Sequence, residues 1–69
     1  MPFFMVKCYA GGKEKRGGPR KVEARNALEA AEEICGGPLI EGAKPGNMRA
    51  EVLALEKPRP MTVYRNKTE

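Results

Sequence analysis

Apolar and polar residues alternate along several stretches of this chain, and a period of two residues predicts β-strands. Residues 3–10 form the first such stretch, residues 21–25 the second and residues 48–56 the third. Two prolines within residues 57–60 break the third strand, because proline cannot donate a hydrogen bond to a ladder. A short last strand is predicted at residues 61–65.

One helix is predicted between the second and third strands, from a period of 3.6 residues. Its apolar stripe consists of Ala27, Leu28, Ala31, Ile34 and Cys35. Asn26 is the expected N-cap, and Glu29 completes a pattern similar to a capping box. Residues 36–38, Gly-Gly-Pro, end the helix, since glycine adopts the left-handed cap conformation and proline cannot continue a helix. A longer helix from Lys21 is the alternative, but it would leave Asn26 in the helix interior without a capping role.

The element order β-β-α-β-β predicts an α+β fold, in which one helix packs on one face of a single antiparallel sheet of about four strands. Residues 11–20 are then a long hairpin loop between the first two strands. Residues 36–47 form a second loop, with a brief extended stretch at Leu39 and Ile40. We expect residues 1–69 to be one small domain with a frayed tail at residues 66–69.

The face of the sheet opposite the helix is predicted to be apolar and uncovered. If Ala50 and Ala54 lie beneath the helix, the large apolar side chains that point away from it are Phe3, Met5, Tyr9, Leu53, Leu55 and Tyr64. Contiguous apolar surface of this kind usually lies in an interface with another protein or with a second copy. The alternative is that a strongly curved sheet or the 36–47 loop covers it. A 69-residue domain has a small core, which favours the interface.

Residues 11–21 carry five basic residues and one acid, an excess equal to the net charge of +4 of the whole chain. The five cations are Lys13, Lys15, Arg16, Arg20 and Lys21. One interpretation is a glycine-bracketed finger that places cations on nucleic-acid phosphates or on another partner. The other is a solvated hairpin tip whose charge only keeps the protein in solution. The spacing matches no P-loop, which requires an upstream glycine and a following Ser or Thr.

The side chains that most active sites use are missing, since the chain has no His, Asp, Ser, Gln or Trp. We therefore expect no enzyme activity, no metal site, no cofactor and no small-molecule substrate. Cys8 and Cys35 fall on predicted core faces, where we expect free thiols that pack as small hydrophobic groups. A disulfide between sheet and helix is the alternative, which a reducing cytosol disfavours. The longest apolar run, residues 1–6, is too short to span a bilayer and lacks signal-peptide features, so we expect a cytoplasmic location and no membrane partner.

Residues 20–31, Arg-Lys-Val-Glu-Ala-Arg-Asn-Ala-Leu-Glu-Ala-Ala, run from a strand into a capped helix. Together with the size of the chain and the order of its elements, this pattern resembles small phage-encoded anti-CRISPR proteins, in which a sheet curls around one helix. The shared pattern covers roughly residues 3–35. The resemblance implies an inhibitor that binds a subunit of a surveillance complex, and basic members of that group also engage DNA. It carries over no individual functional residue.

We therefore expect a small non-catalytic binding module that acts by protein–protein interaction, including inhibition of a nucleoprotein complex. The first alternative is a nucleic-acid-binding protein that uses the 11–21 loop. The second is a small bacterial domain that forms homodimers. The basic stretch contains no aromatic residue, so stacking on bases is not indicated there. The apolar face and the basic loop are together predicted to form one two-part binding surface.

Overall fold

A computed structural model describes residues 1–11, 13–56 and 59–68 of the chain. Within these residues the chain forms one α-helix and six β-strands. The elements are β1 (Phe3–Ala10), β2 (Lys13–Glu14), β3 (Arg20–Glu23), α1 (Ala27–Cys35), β4 (Leu39–Glu41), β5 (Met48–Ala54) and β6 (Met61–Asn66). Four positions of predicted loops and tail lie outside the described residues: Gly12, Lys57, Pro58 and Glu69.

The strands pair in one antiparallel sheet with β1 and β5 near its centre. On one side of β1 lie β5, then β6, then β4. On its other side, β2 pairs with the C-terminal end of β1 and β3 with the N-terminal half. The α+β class, with one helix and an antiparallel sheet, is confirmed. The predicted count of about four strands and the order β-β-α-β-β are wrong, because the described residues form six strands in the order β-β-β-α-β-β-β.

The strand β2 lies inside the segment that the sequence predicts as a hairpin loop. The chain turns directly after Ala10, where Gly11 has a φ of 58°, so Lys13 already pairs with Ala10. The Lys15 N–H then donates a 2.8 Å hydrogen bond to the Cys8 carbonyl oxygen. The ladder is interrupted only beyond Lys15, and this is why the predicted long loop is shorter than residues 11–20.

The strand β4 contains the extended stretch expected at Leu39 and Ile40, and it adds a strand to the sheet beside β6. The predicted tail is also more ordered than expected at its start. Asn66 is the last residue of β6, and the Lys67 N–H donates a 3.1 Å hydrogen bond to the Pro38 carbonyl oxygen.

The hydrophobic core lies between α1 and the sheet. Phe4 and Val6 of β1 face the helix and pair with Ala54 and Val52 of β5. The buried hydrophobic residues are Phe4, Val6, Ala24, Ala30, Ala31, Leu39, Ala50, Val52 and Tyr64. Four of them are alanines, so the helix approaches the sheet closely but the core holds little apolar volume. Burial of further apolar surface against a partner would therefore add a substantial share of stability.

The residues at both ends of α1 are the predicted ones, but the predicted capping box and left-handed cap conformation are not formed, since Gly36 has a ψ of 151°. The Asn26 side-chain oxygen accepts a 2.9 Å hydrogen bond from the Glu29 N–H. At the other end, Gly36 has a φ of 83° and donates its N–H to the Glu32 carbonyl oxygen at 2.9 Å. The Glu29 carboxylate binds the Arg25 guanidinium at 2.7 Å and 3.2 Å instead of completing a capping box. Hydrogen bonding within this exposed pair lowers the pKa of Glu29 and raises that of Arg25.

The buried stripe of α1 differs from the predicted one. Ala30 and Ala31 are fully buried, whereas Leu28, predicted to face the core, is 38% exposed. Ala27 and Ile34 flank the buried alanines and also pack on the core. The smallest side chains therefore lie at the centre of the contact with the sheet, which leaves Leu28 at its margin.

Candidate functional site

The sheet register places three cations of the 11–21 segment in a row on the helix side of one sheet edge. Lys13, Lys15 and Arg20 lie beside Ala10, Cys8 and Val6 of β1, respectively. These three residues of β1 are on the side of the sheet that faces α1. Cations beside these residues project to the same side of the sheet. Residues two positions apart on a strand are separated by about 7 Å, so the three cations follow the edge at that spacing.

Arg16 completes this group, and we call Lys13, Lys15, Arg16 and Arg20 the basic ridge. All four are exposed. Among the described residues, none of them has a carboxylate within ion-pairing distance. The one acid of the segment, Glu14, pairs with Lys7 at 4.0 Å. The positive charge of the basic ridge is therefore not compensated within the described part of the chain.

Lys21, the fifth predicted cation, lies on the opposite side of the sheet. It pairs with Met5, and its ammonium group is 4.8 Å from the centre of the Phe3 ring, which is within the range of a cation–π contact. Of the five cations in the predicted two-part surface, only Lys21 therefore lies beside the apolar face. Strand alternation continues through the segment predicted as a loop, and it separates the basic ridge from the apolar face.

A cavity of about 190 Å³ lies between the basic ridge and the last turn of α1. We call it the basic cavity, and its lining residues are Cys8, Lys15, Arg16, Gly18, Arg20, Ile34 and Cys35. Cys8 and Cys35 form a disulfide, with Cα atoms 5.4 Å apart. The prediction of free thiols is wrong, because the last turn of α1 packs on the helix side of β1 and brings the two sulfurs together. Both cysteines are partly exposed.

A β-bulge in β5 turns Arg49 towards the same end of α1. Arg49 is the extra residue between Met48 and Ala50, which pair with neighbouring residues of β6. Its Nη2 donates a 3.2 Å hydrogen bond to the Cys35 carbonyl oxygen, which lacks a partner within the helix. Its Nε is buried with no hydrogen-bond partner among the described residues. Sequence reasoning missed Arg49, because a bulge leaves no sign in the alternation of a strand.

The side of the sheet away from α1 carries most of the apolar residues predicted there. Phe3, Met5 and Tyr9 alternate onto this side of β1, and Leu53 pairs with Met5. Leu55 follows β5 and donates its N–H to the Phe3 carbonyl oxygen at 3.0 Å. Phe3 is 41% exposed.

Tyr64 does not belong to this side, and its predicted position there is wrong. It pairs with Ala50, which faces α1, and it is only 4% exposed. Burial raises the pKa of Tyr64, and the nearby Glu41 carboxylate raises it further. A hydrogen bond with Thr62 has the opposite, smaller effect and lowers that pKa. Alternation gives the relative sides of residues within β6, but only its pairing with β5 decides which of those sides is the core.

Sequence reasoning also does not select Met61, because it assigns the two sides of β6 the wrong way round. Met61 is 58% exposed and pairs with Leu53, which in turn pairs with Met5. These three residues form an apolar row across β1, β5 and β6, next to a cavity of about 220 Å³ that Lys7, Pro19 and Glu51 also line. We call Phe3, Met5, Tyr9, Leu53, Leu55 and Met61 the open face.

The carboxylates on the side of the open face already have cations beside them. Glu51 and Glu14 lie 3.9 Å and 4.0 Å from the Lys7 ammonium, and Glu23 lies 3.5 Å from the N-terminal amine. Lys21, in contrast, has no ion pair within the part of the chain that the structure describes. The rim of the open face therefore offers a cation to a partner.

Both edges of the sheet are poor templates for an additional strand. One edge is interrupted between β2 and β3 and contains Pro19, and the other edge consists of the three-residue strand β4 and the first half of β6, which β4 does not cover. Interrupted and very short edge strands limit pairing with other chains. The faces of this sheet are therefore better candidates for binding than its edges.

No family model, no curated protein and no solved structure matches this chain. Within residues 1–11, 13–56 and 59–68, no three side chains of His, Cys, Asp or Glu come together as a metal site requires. The same residues form no helix with the length and apolar character needed to cross a membrane.

Proposed function

We propose that this chain is a small, non-catalytic binding module that holds another protein against the open face of its sheet. The observation that carries the proposal is the apolar row of Met5, Leu53 and Met61, in which Met61 is more than half exposed. Apolar surface removed from water contributes about 25 cal/mol per Å². Inhibition of a nucleoprotein complex, by occupation of one of its protein subunits, is one use of such a face.

The partner that fits the open face presents an apolar surface with a carboxylate near Lys21. A second copy of this chain fits less well, because it has only one carboxylate charge to spare on this side: Glu23 pairs with the N-terminal amine, and Glu14 and Glu51 share the single Lys7 ammonium. A different protein is free to supply an uncompensated carboxylate. We therefore favour a different protein over a homodimer.

Two leucine-to-lysine substitutions test this function. Leu53→Lys places a charge in the centre of the open face, and Leu28→Lys is the matched control, since Leu28 is exposed on the helix. Wild-type protein recovers partners from nuclease-treated lysate of the source cells, and the recovered protein is purified and titrated with each variant. We expect Leu53→Lys to weaken binding by about thirtyfold or more and Leu28→Lys to leave it nearly unchanged.

Two outcomes would contradict the proposal. In one, the recovered protein binds wild type and Leu53→Lys with equal affinity. In the other, nuclease treatment removes everything that the wild type recovers. Sedimentation equilibrium of the purified chain tests the homodimer, because a dimer that Leu53→Lys dissociates would make a second copy the occupant of the open face.

The basic ridge favours a second candidate function, binding to the phosphate backbone of a single-stranded nucleic acid. Lys13, Lys15 and Arg20 project to one side of the sheet along one edge, and Arg16 lines the cavity on that side. None of the four has a carboxylate partner among the described residues. A positively charged track of this kind suits a flexible strand. Tyr9 lies on the other side of the sheet, so we expect binding through the backbone with little sequence preference.

Fluorescence anisotropy with a labelled oligothymidine tests this second function. If all four ridge cations contact phosphates, the slope of log K against log salt concentration is about −2.8. The variant K13Q/K15Q/R16Q/R20Q should lose the binding. Equal affinities of the variant and the wild type would rule out the basic ridge as a nucleic-acid site.

The cytoplasmic location stays a prediction. A disulfide persists most readily in oxidising compartments, and cytosolic disulfides are usually transient or redox-sensing. Alkylation of thiols in intact source cells, followed by mass spectrometry of Cys8 and Cys35, measures the redox state that the protein has in its own compartment.

A further inference from the structure

The basic cavity contains two features that protein binding at the open face does not use. One is the partly exposed disulfide between Cys8 and Cys35. The other is a group of three cations, Lys15, Arg16 and Arg20, that line the same cavity. The disulfide and the cations line one cavity, and exposed disulfides are the ones that typically have labile, regulatory or catalytic roles.

The helix dipole does not by itself account for these cations. The C-terminal end of a helix attracts positive charge. Here Arg49 already donates to the Cys35 carbonyl oxygen. Within the described residues, no side-chain hydrogen bond joins Lys15, Arg16 or Arg20 to α1. Their charges are therefore available to a ligand in the basic cavity.

We propose that the basic cavity binds a small thiol that carries carboxylate groups, and that this thiol reduces the Cys8–Cys35 disulfide. The guanidinium groups of Arg16 and Arg20 match the geometry of carboxylates. Positive charge also favours the thiolate form, which is the form that attacks a disulfide. A cavity of about 190 Å³ suits a small molecule of this class.

The reaction is a balanced exchange in two steps. The bound thiolate attacks one sulfur of the disulfide, forms a mixed disulfide with that cysteine, and displaces the other cysteine as a thiolate. A second small thiolate then attacks the sulfur of the small thiol in the mixed disulfide. The products are the oxidised dimer of the small thiol and two protein thiolates, which take up the protons that the two small thiols released. Two electrons pass from the small thiols to the protein.

Reduction rates with thiols of different charge test the proposal. The probes are mercaptoacetate, which is anionic, 2-mercaptoethanol, which is neutral, and cysteamine, which is cationic. Free cysteines are measured by mass spectrometry after alkylation, and each rate is expressed per thiolate so that the acidities of the probes do not bias the comparison. We expect mercaptoacetate to react about tenfold faster than 2-mercaptoethanol, and cysteamine to react more slowly than either, because the cations attract one charge and repel the other.

A pair of triple variants separates the cavity from the overall charge. K15Q/R16Q/R20Q removes the cavity cations, and K44Q/R59Q/K67Q removes three exposed cations that do not line it. Circular dichroism confirms that both variants fold. The preference for mercaptoacetate should fall to about twofold or less in the cavity variant and persist in the control.

The dependence of the rates on salt concentration independently tests whether the preference for mercaptoacetate is electrostatic. Raising the ionic strength from about 0.01 M to about 1 M shortens the screening length from about 30 Å to about 3 Å and should suppress the preference in the wild type. Equal rates per thiolate for the three probes would overturn the proposal. An equal loss of preference in the two triple variants would overturn it as well, since the effect would then come from net charge and not from the basic cavity.

Discussion

Loss of the Cys8–Cys35 bond is expected to destabilise this domain severely. The bond joins β1 to the last turn of α1 across a sequence separation of 27 residues. Closure of a loop of this length lowers the entropy of the unfolded chain by about 12 cal/mol/K, which corresponds to about 3.6 kcal/mol at 25 °C. A domain of this size has a free energy of unfolding of only about 3.5–10 kcal/mol, so the bond supplies a large share of it.

Urea denaturation of three forms measures this contribution. The forms are the oxidised wild type, the wild type held reduced, and C8A/C35A. Reduced wild type keeps both side chains, so its difference from the oxidised form isolates the bond from the packing of the sulfurs. We expect a loss of about 3–4 kcal/mol and a melting temperature lower by about 12–30 °C. A difference below about 0.5 kcal/mol between oxidised and reduced wild type would refute the reasoning, because closing the loop would then add almost no restriction to the unfolded chain.

Three further predictions concern the helix and the core. Asn26→Ala removes the acceptor for the Glu29 N–H and should cost about 1 kcal/mol in urea denaturation, with unchanged binding as the control. Gly36→Ala introduces a Cβ at a φ of 83° and a ψ of 151°, a conformation essentially restricted to glycine, and should cost about 1–3 kcal/mol by the same measurement, although no neighbouring atom lies within 4 Å of that Cβ. Burial raises the pKa of Tyr64, so the folded state holds its proton at a pH where the unfolded chain loses it. The stability from Tyr64 is therefore complete below about pH 10 and falls as the pH rises through the folded pKa; Tyr64→Phe should flatten that alkaline fall, and an identical fall in both proteins would contradict the assignment.

Local signals in the sequence predict the helix ends and the first strand well. Asn26 caps α1 and Gly36 ends it because capping depends on residues within one turn of each other. The strand β1 has the bounds that its alternation indicates, and Phe3 and Met5 lie on the side away from α1. Such features need no information about the rest of the chain.

Features that depend on pairing between distant segments are not predictable in the same way. The side of Tyr64 depends on its pairing with Ala50, which a bulge in β5 helps to set. The division of the cations between the two sides of the sheet depends on the early start of β2. The disulfide depends on how α1 lies across β1, since both cysteines fall on core faces whether or not they are bonded. In each case the pattern within a strand shows which residues share a side, whereas tertiary packing decides which side faces the core and which residues meet across the fold.

Oxidative footprinting of the methionines tests the central claim, that the open face binds another protein, most directly. Met5 and Met61 lie on the open face, and Met48, which begins β5 at the end away from Leu53 and outside the open face, serves as the internal control. The chain is oxidised alone and in the complex recovered from nuclease-treated lysate, and the sulfoxide at each methionine is quantified by mass spectrometry. We predict that the partner protects Met5 and Met61 and leaves Met48 as reactive as in the free chain. Oxidation of Met61 at the same rate in the free chain and in the complex would contradict the claim.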